Sequence, residues 1–234
     1  MNKPIFSCVL ILSSFLAPAM GKAAYVSWGA NILEIDPISH SQTAAQFYSY
    51  NNPLATSYNP DPSLPLLAPQ SGAFISFLYQ GPDGLSMFAV FDQPNDGSGG
   101  TATLNLTSTG LAGSVMSMLV KDDPGDAPNN WNDASGEANL SFLWWPCCTD
   151  GFVLGHIDPA IDSWSLTTSF AQLSGIDRYL IFYSNNGSID SLQISPADYR
   201  SFTYSVSQVP VPAAAWLFAT ALLGLLKIRR VSVV

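Results

Sequence analysis

Turn-forming residues interrupt this chain so often that no secondary-structure element in its middle can be long. From Tyr25 to Gln208, Gly, Pro, Asn and Asp punctuate a series of short apolar runs. The runs recur at a spacing of about 8–14 residues, which favours short strands joined by turns over packed helices. Ala73–Gln80 (AFISFLYQ) and Leu85–Phe91 flank Gly81-Pro82-Asp83-Gly84 and predict a hairpin. Thr101–Thr107 (TATLNLT) alternates, as a half-buried strand does. Tyr25–Ile35, Ser114–Val120, Ala138–Trp145, Trp164–Phe170, Arg178–Ser184, Ser188–Ile194 and Ser201–Ser207 complete the set. Asn51–Gln70 carries Pro53, Pro60, Pro62, Pro65 and Pro69, and reads as an irregular surface excursion. The expected fold is mainly β, an antiparallel β-sandwich or jelly roll.

Charge narrows the partners. Lys3, Lys22, Lys227, Arg229 and Arg230 lie near the ends. The middle keeps Lys121, Arg178 and Arg200 against all 17 acidic residues, a balance of −14. Such a surface repels phosphate backbones and argues against a nucleic-acid partner. It tolerates cations, and it also serves plain solubility.

The two ends read as targeting segments. Lys3 precedes an apolar run, Ile5–Leu16, and small residues follow at Ala17, Ala19, Gly21 and Ala23. This is the pattern of an export signal, too short to span a bilayer, with cleavage expected near Ala23 or Ala24. Cys8 falls inside the apolar run and leaves with it. At the other end, Val209-Pro210-Val211-Pro212 precedes an uncharged run to Leu226, followed by Lys227, Arg229 and Arg230. The 16 residues from Val211 to Leu226 would measure about 24 Å as a helix. Flanking residues and snorkelling cations extend that reach, and the basic cluster predicts a cytoplasmic C-terminus. Prolines just outside the membrane hold the chain extended, the form a protease binds.

Val209 to Arg230 resembles a PEP-CTERM sorting signal. The order carries the likeness: Val-Pro-x-Pro, then Ala-Ala-Ala-Trp216-Leu-Phe, Leu-Leu-Gly-Leu, and Arg-Arg. Val209, Pro210 and Pro212 fall on the motif positions, while Val211 stands where many members carry Glu. The resemblance implies a substrate of an exosortase-type enzyme in an exopolysaccharide-making Gram-negative host. It implies a precursor anchored transiently in the inner membrane, then passed to the cell envelope or extracellular matrix. The organisation expected is residues 1–23 as signal peptide, 24–208 as ectodomain, 209–230 as sorting signal and 231–234 as tail.

Within the ectodomain several constellations could carry chemistry. Cys147 and Cys148 are the only cysteines left after export, and an oxidising compartment allows them to pair with each other, to pair between chains, or to remain reduced. Asp92, Asn95 and Asp96 lie in one acidic loop, and Asp122, Asp123 and Asp126 in another. Calcium takes such oxygen ligands, although neither loop matches an EF-hand and Asp and Gly are also ordinary turn residues. Trp131, in a polar loop, is the candidate for stacking on a glycan such as extracellular polysaccharide, whereas Trp145 and Trp164 are expected in the core. Asn105, Asn139 and Asn186 open glycosylation-type triplets. His156, with Asp158 and Ser163 nearby in sequence, is the one place where a hydrolase site could be drawn. No nucleophile elbow, zinc-protease motif or phosphate-binding loop occurs, so the expected ectodomain is a non-catalytic structural or binding module.

Overall fold

The computed structural model describes residues 21–50, 58–112, 116–122, 131–158, 161 and 163–209. Contacts divide the chain into the unit Lys22–Gln208 and a second unit of the terminal segments Met1–Gly21 and Val209–Val234. Of the second unit, only Gly21 and Val209 are among the described residues. The predicted C-terminal membrane helix and the residues Pro210, Pro212, Trp216, Lys227, Arg229 and Arg230 therefore lie outside them. Among the described residues, no helix is long and apolar enough to cross a membrane.

The fold is mainly β. A six-stranded sheet contains β1 (Gly21–Trp28), β2 (Asn31–Ile35), β6 (Gly100–Thr109), β8 (Glu137–Trp144), β10 (Trp164–Ser174) and β13 (Ser201–Val209). Its order is β2-β1-β13-β10-β6-β8. A second sheet contains β3 (Ile38–Ser39), β4 (Ala73–Gly81), β5 (Gly84–Phe91), β7 (Ser117–Lys121), β9 (Asp150–Ile157), β11 (Arg178–Asn185) and β12 (Ser188–Ile194). Its order is β12-β11-β4-β5-β9-β7, with β3 also on β4. The second sheet is mixed, which corrects the all-antiparallel expectation. β11 pairs with β4 in parallel over Ala73–Phe77, and β3 continues along β4 in parallel at Tyr79 and Gln80. Two segments from distant parts of the sequence thus share one flank of β4.

Burial explains which runs alternate. β6 and β8 bury alternate residues, Ala102, Leu104 and Leu106 on one, Ala138, Leu140, Phe142 and Trp144 on the other. They bury one face and expose the other, as a half-solvated antiparallel sheet does. β4 and β5 are buried on both faces and read as continuous apolar runs. One hydrophobic cluster draws from both sheets, with Leu104, Phe142, Phe170 and Phe202 meeting Phe74, Phe91, Phe152 and Tyr179. A second cluster lies on the other face of the seven-stranded sheet, where Ala44, Phe47 and Tyr48 of the short helix α1 (Ala44–Tyr48), with Tyr58 and Leu67, cover Ile75, Phe77, Phe88 and Val153.

That cover corrects the reading of the proline-rich stretch as a surface excursion, since Tyr58 and Leu67 are buried. Helix α1 begins at Thr43, whose side chain accepts from the Gln46 amide, while the Gln46 side chain accepts from the Thr43 amide. The Asp83 carboxylate in the β4–β5 turn accepts the Ala44 N–H at 3.0 and 3.1 Å. The hairpin is the one predicted, with Gly81 opposite Gly84. A Cβ on Gly81 would lie 2.8 Å from the Gln42 carbonyl oxygen, so this turn must carry glycine for the helix to dock.

β9 is absent from the strands expected from the sequence. It lies between β5 and β7, inside the second sheet. It reads DGFVLGHI and is buried almost throughout, so it shows neither alternation nor exposed polar punctuation.

Candidate functional site

Several loops meet where β4 begins and β5 and β8 end. The chain leaves β5 at Asp92, and Asp92 is 1% exposed. Its Oδ1 accepts the Gly72 N–H at 2.8 Å. Its Oδ2 accepts from Ser98 Oγ at 2.9 Å and from Trp144 Nε1 at 3.0 Å. The Gly72 amide and the Trp144 indole donate to this buried carboxylate, and the single Ser98 hydroxyl proton is shared between it and Asp96, whose oxygens lie 2.8 Å away. Asp92 and Asn95 both have positive φ, 58° and 62°, the turn role that competed with the metal reading.

Asp96, next in the same loop, accepts from Ser71 Oγ at 2.7 Å and from the Ser98 N–H at 2.8 Å. These bonds, that from Ser71 foremost, hold its carboxyl down at about 2. The Asn95 N–H donates to the Pro146 carbonyl at 2.9 Å, which fastens this loop to the turn after β8. That turn carries Trp145, Pro146 and the joined pair Cys147–Cys148. Asp150 closes it: Oδ2 accepts the Leu143 N–H at 3.1 Å, linking the start of β9 to the last turn of β8. The crossover between the two sheets is therefore a short, heavily tied segment.

The second acidic group is elsewhere. Asp122 is buried beneath α1, where Tyr48 Oη donates to its Oδ2 at 2.9 Å and its own N–H donates to the Gly151 carbonyl at 3.1 Å. Burial, and then the Asp122 charge, push the Tyr48 hydroxyl pKa up. Asp123 and Asp126 lie outside the described residues. Among the described residues, no group of three or more His, Cys, Asp or Glu side chains is placed to hold a metal ion.

The tryptophans exchange roles. Trp131 is only partly exposed and packs against the main core, with its Nε1 buried. Trp164 is buried as expected, but Trp145 is 65% exposed. The pleat explains the error: Trp144 takes the inward position and stacks on Phe91 with ring centroids 5.1 Å apart, which turns Trp145 outward. Alternation along ANLSFLWW would have found this, since Ala138, Leu140 and Phe142 fix the inward parity.

His156 is exposed at positive φ (62°), where β9 bulges against β5 between Leu85 and Met87. The hydroxyl at its Nδ1 is Ser117 Oγ, 3.2 Å away, rather than that of Ser163. The other histidine, His40, has its Nε2 3.7 Å from Asp61 Oδ2 and its ring edge-on to Phe47. A cleft of ≈ 660 Å³ between α1 and β7 is lined by Gln42, Gln46, Tyr50, Leu119 and Lys121.

Compared with protein-family models, characterised proteins and solved structures, the chain matches none.

Proposed function

We propose that the chain is an exported protein of the cell envelope or extracellular matrix, sorted through a C-terminal signal cut by an exosortase-type enzyme. Its ectodomain is a non-catalytic β-sandwich that binds or builds. The observation that carries this reading is the order Val209-Pro210-Val211-Pro212, uncharged run to Leu226, then Lys227, Arg229 and Arg230. An extended proline stretch, an apolar span and a cationic stop are the three parts such processing needs.

The folded unit is compatible with that processing. β13 ends at Val209, just before a proline that has no N–H to continue a ladder. Pairing of β1 with β2 starts at Ala24 against Ile35, so removal of residues 1–23 leaves the hairpin intact. A joined Cys147–Cys148 pair suits an oxidising compartment. The sandwich reading is supported by the single hydrophobic cluster that both sheets feed.

The test is expression in an exosortase-bearing host and in the same host lacking the enzyme, with intact mass and the C-terminal peptide measured in each. Loss of everything beyond the Val209–Pro212 region only when the enzyme is present is the expected result. An intact Val234 terminus in both hosts overturns the proposal and leaves a permanently anchored protein.

A further inference from the structure

The outer face of the six-stranded sheet has an unusual chemistry. On β6, on β13 from Ser201 to Ser207, and on β10 as far as Ser169, every outward position is Thr, Ser or Asn. Cross-strand register sets these side chains in rows. Thr107 lies opposite Thr167, and Thr167 opposite Thr203; Asn105 lies opposite Ser169, and Ser169 opposite Ser201. Neighbours within a row are about 4.8 Å apart, and successive rows about 6.7 Å apart. Thr167 and Thr203 share a hydrogen bond at 2.8 Å, so the rows are ordered. No charged side chain stands on these three strands' outward positions, in a segment whose acidic excess is fourteen; one carboxylate, Glu137 of β8, borders them at the end of the Thr107–Thr167–Thr203 row.

We propose that this face binds a neutral polysaccharide. Its hydroxyls and amides both donate and accept, as sugar hydroxyls do, and its regular rows suit a repeating polymer better than one small ligand. The uncharged rows of these three strands suit a neutral chain, whereas Glu137 at their edge and the acidic remainder of the unit repel an anionic one. An apolar platform lies at one end. Leu143 of β8, opposite Thr101 of β6, is 46% exposed, and Trp145, one pleat further on, is 65% exposed. An exposed indole beside hydroxyl rows provides a surface for the C–H face of a pyranose ring. A second copy of the chain fits less well, because the Ser/Thr rows offer little of the apolar area that the centre of a stable protein interface buries. The inference rests on the reading of the ectodomain as a binding module of an exported protein.

The test uses the full, uncleaved chain in detergent, so its outcome is independent of sorting. Depletion from solution by microcrystalline cellulose, chitin and granular starch is measured, with alginate beads as the anionic control. Binding to at least one neutral polysaccharide is expected, unchanged in 1 M salt, with none to alginate. Trp145→Ala and Thr167→Lys should each weaken it at least tenfold, while Thr167→Ser retains it. Thr107→Lys, at an exposed position, serves if Thr167→Lys unfolds. Binding to none of the three polysaccharides overturns the proposal, as does equal binding by the Trp145→Ala and lysine variants. Self-association that the lysine variant abolishes, without polysaccharide binding, assigns the face to a second copy instead.

Discussion

The indole Nε1 of Trp144 donates to the carboxylate of Asp92 at 3.0 Å, across the gap between the two sheets. Trp144 ends β8 on one sheet and Asp92 follows β5 on the other, and both are almost wholly buried. Through Asp92 the bond reaches Gly72 and Ser98, so three loops depend on one carboxylate. Trp144→Phe keeps a ring against Phe91 but removes the donor. Because the carboxylate stays buried with one bond fewer, about 1–3 kcal/mol of stability should be lost. Urea unfolding with an unchanged midpoint would show that the bond ties nothing.

Acid should find Asp96. Its pKa of about 2 in the folded chain is depressed from the ordinary 3.8, chiefly by Ser71 and then by the Ser98 amide. A depressed carboxyl stabilises the fold fully above its unfolded pKa, and that contribution is lost as pH falls through the folded value. Wild-type stability should therefore decline between about pH 4 and pH 2. Asp96→Asn, which cannot titrate, should decline less over the same interval. Melting temperatures at pH 5, 3 and 2 test this, and parallel curves for the two proteins refute it.

Alkali should act on the buried tyrosines. Burial pushes the Tyr179 hydroxyl up to about 12, and burial is also the main cause of the upward shifts of Tyr48, Tyr58 and Tyr204. A raised folded pKa means stability that is present below the unfolded value and lost as pH rises through the folded one. Above pH 10 these phenols should ionise only as the chain unfolds. Tyrosinate absorbance and far-ultraviolet dichroism should then change together. Ionisation of these tyrosines while the dichroism stays native would contradict their burial.

The Cys147–Cys148 bond closes a loop of adjacent residues, so it removes little chain entropy. The contribution expected from so small a loop is about 1 kcal/mol. The double variant Cys147→Ser/Cys148→Ser should melt within a few degrees of wild type. Its effect should be local, a change in emission from the exposed Trp145 two residues away. Loss of cooperative folding in the double variant would assign the pair a global role.

How legible the fold was depends on whether an element meets water. TATLNLT is read correctly because β6 has one wet face, and the β4–β5 hairpin because Gly81 and Gly84 mark its turn. β9 escapes because both its faces are covered, and the Asp150-Gly151 pair that opens it has the composition of a turn. Asp150 is in fact a buried acceptor for the Leu143 amide, a long-range role that no local pattern announces. The same holds for Asp122, paired with Tyr48 across 74 residues. The parallel pairing of β11 with β4 is likewise invisible to local reading, since about 100 residues separate them. Strand parity, carried one residue past Trp144, would have turned Trp145 outward, whereas Trp131 lies in no strand and its packing against the core has no local signal.

Helix α1 tests whether tertiary packing alone sustains a short element. Five residues cannot hold a helix in water, where isolated helices need about 12–15. Its capping box and the Asp83 carboxylate fix its start, but Phe47 supplies the burial. That ring sits 4.8 Å from Tyr79, 5.8 Å from Phe88 and 6.3 Å from Phe77, between ring centroids. Phe47→Ala should cost about 3–5 kcal/mol, the range for truncating a buried phenylalanine. Much of that loss should appear as local opening, because the main core lies on the other face of the sheet and is not touched. Hydrogen exchange should accelerate first at the α1 amides of Phe47 and Ser49, which bond to the Thr43 and Ala45 carbonyls. Uniform acceleration across both sheets would mean instead that the covering layer and the main core unfold as one cooperative unit.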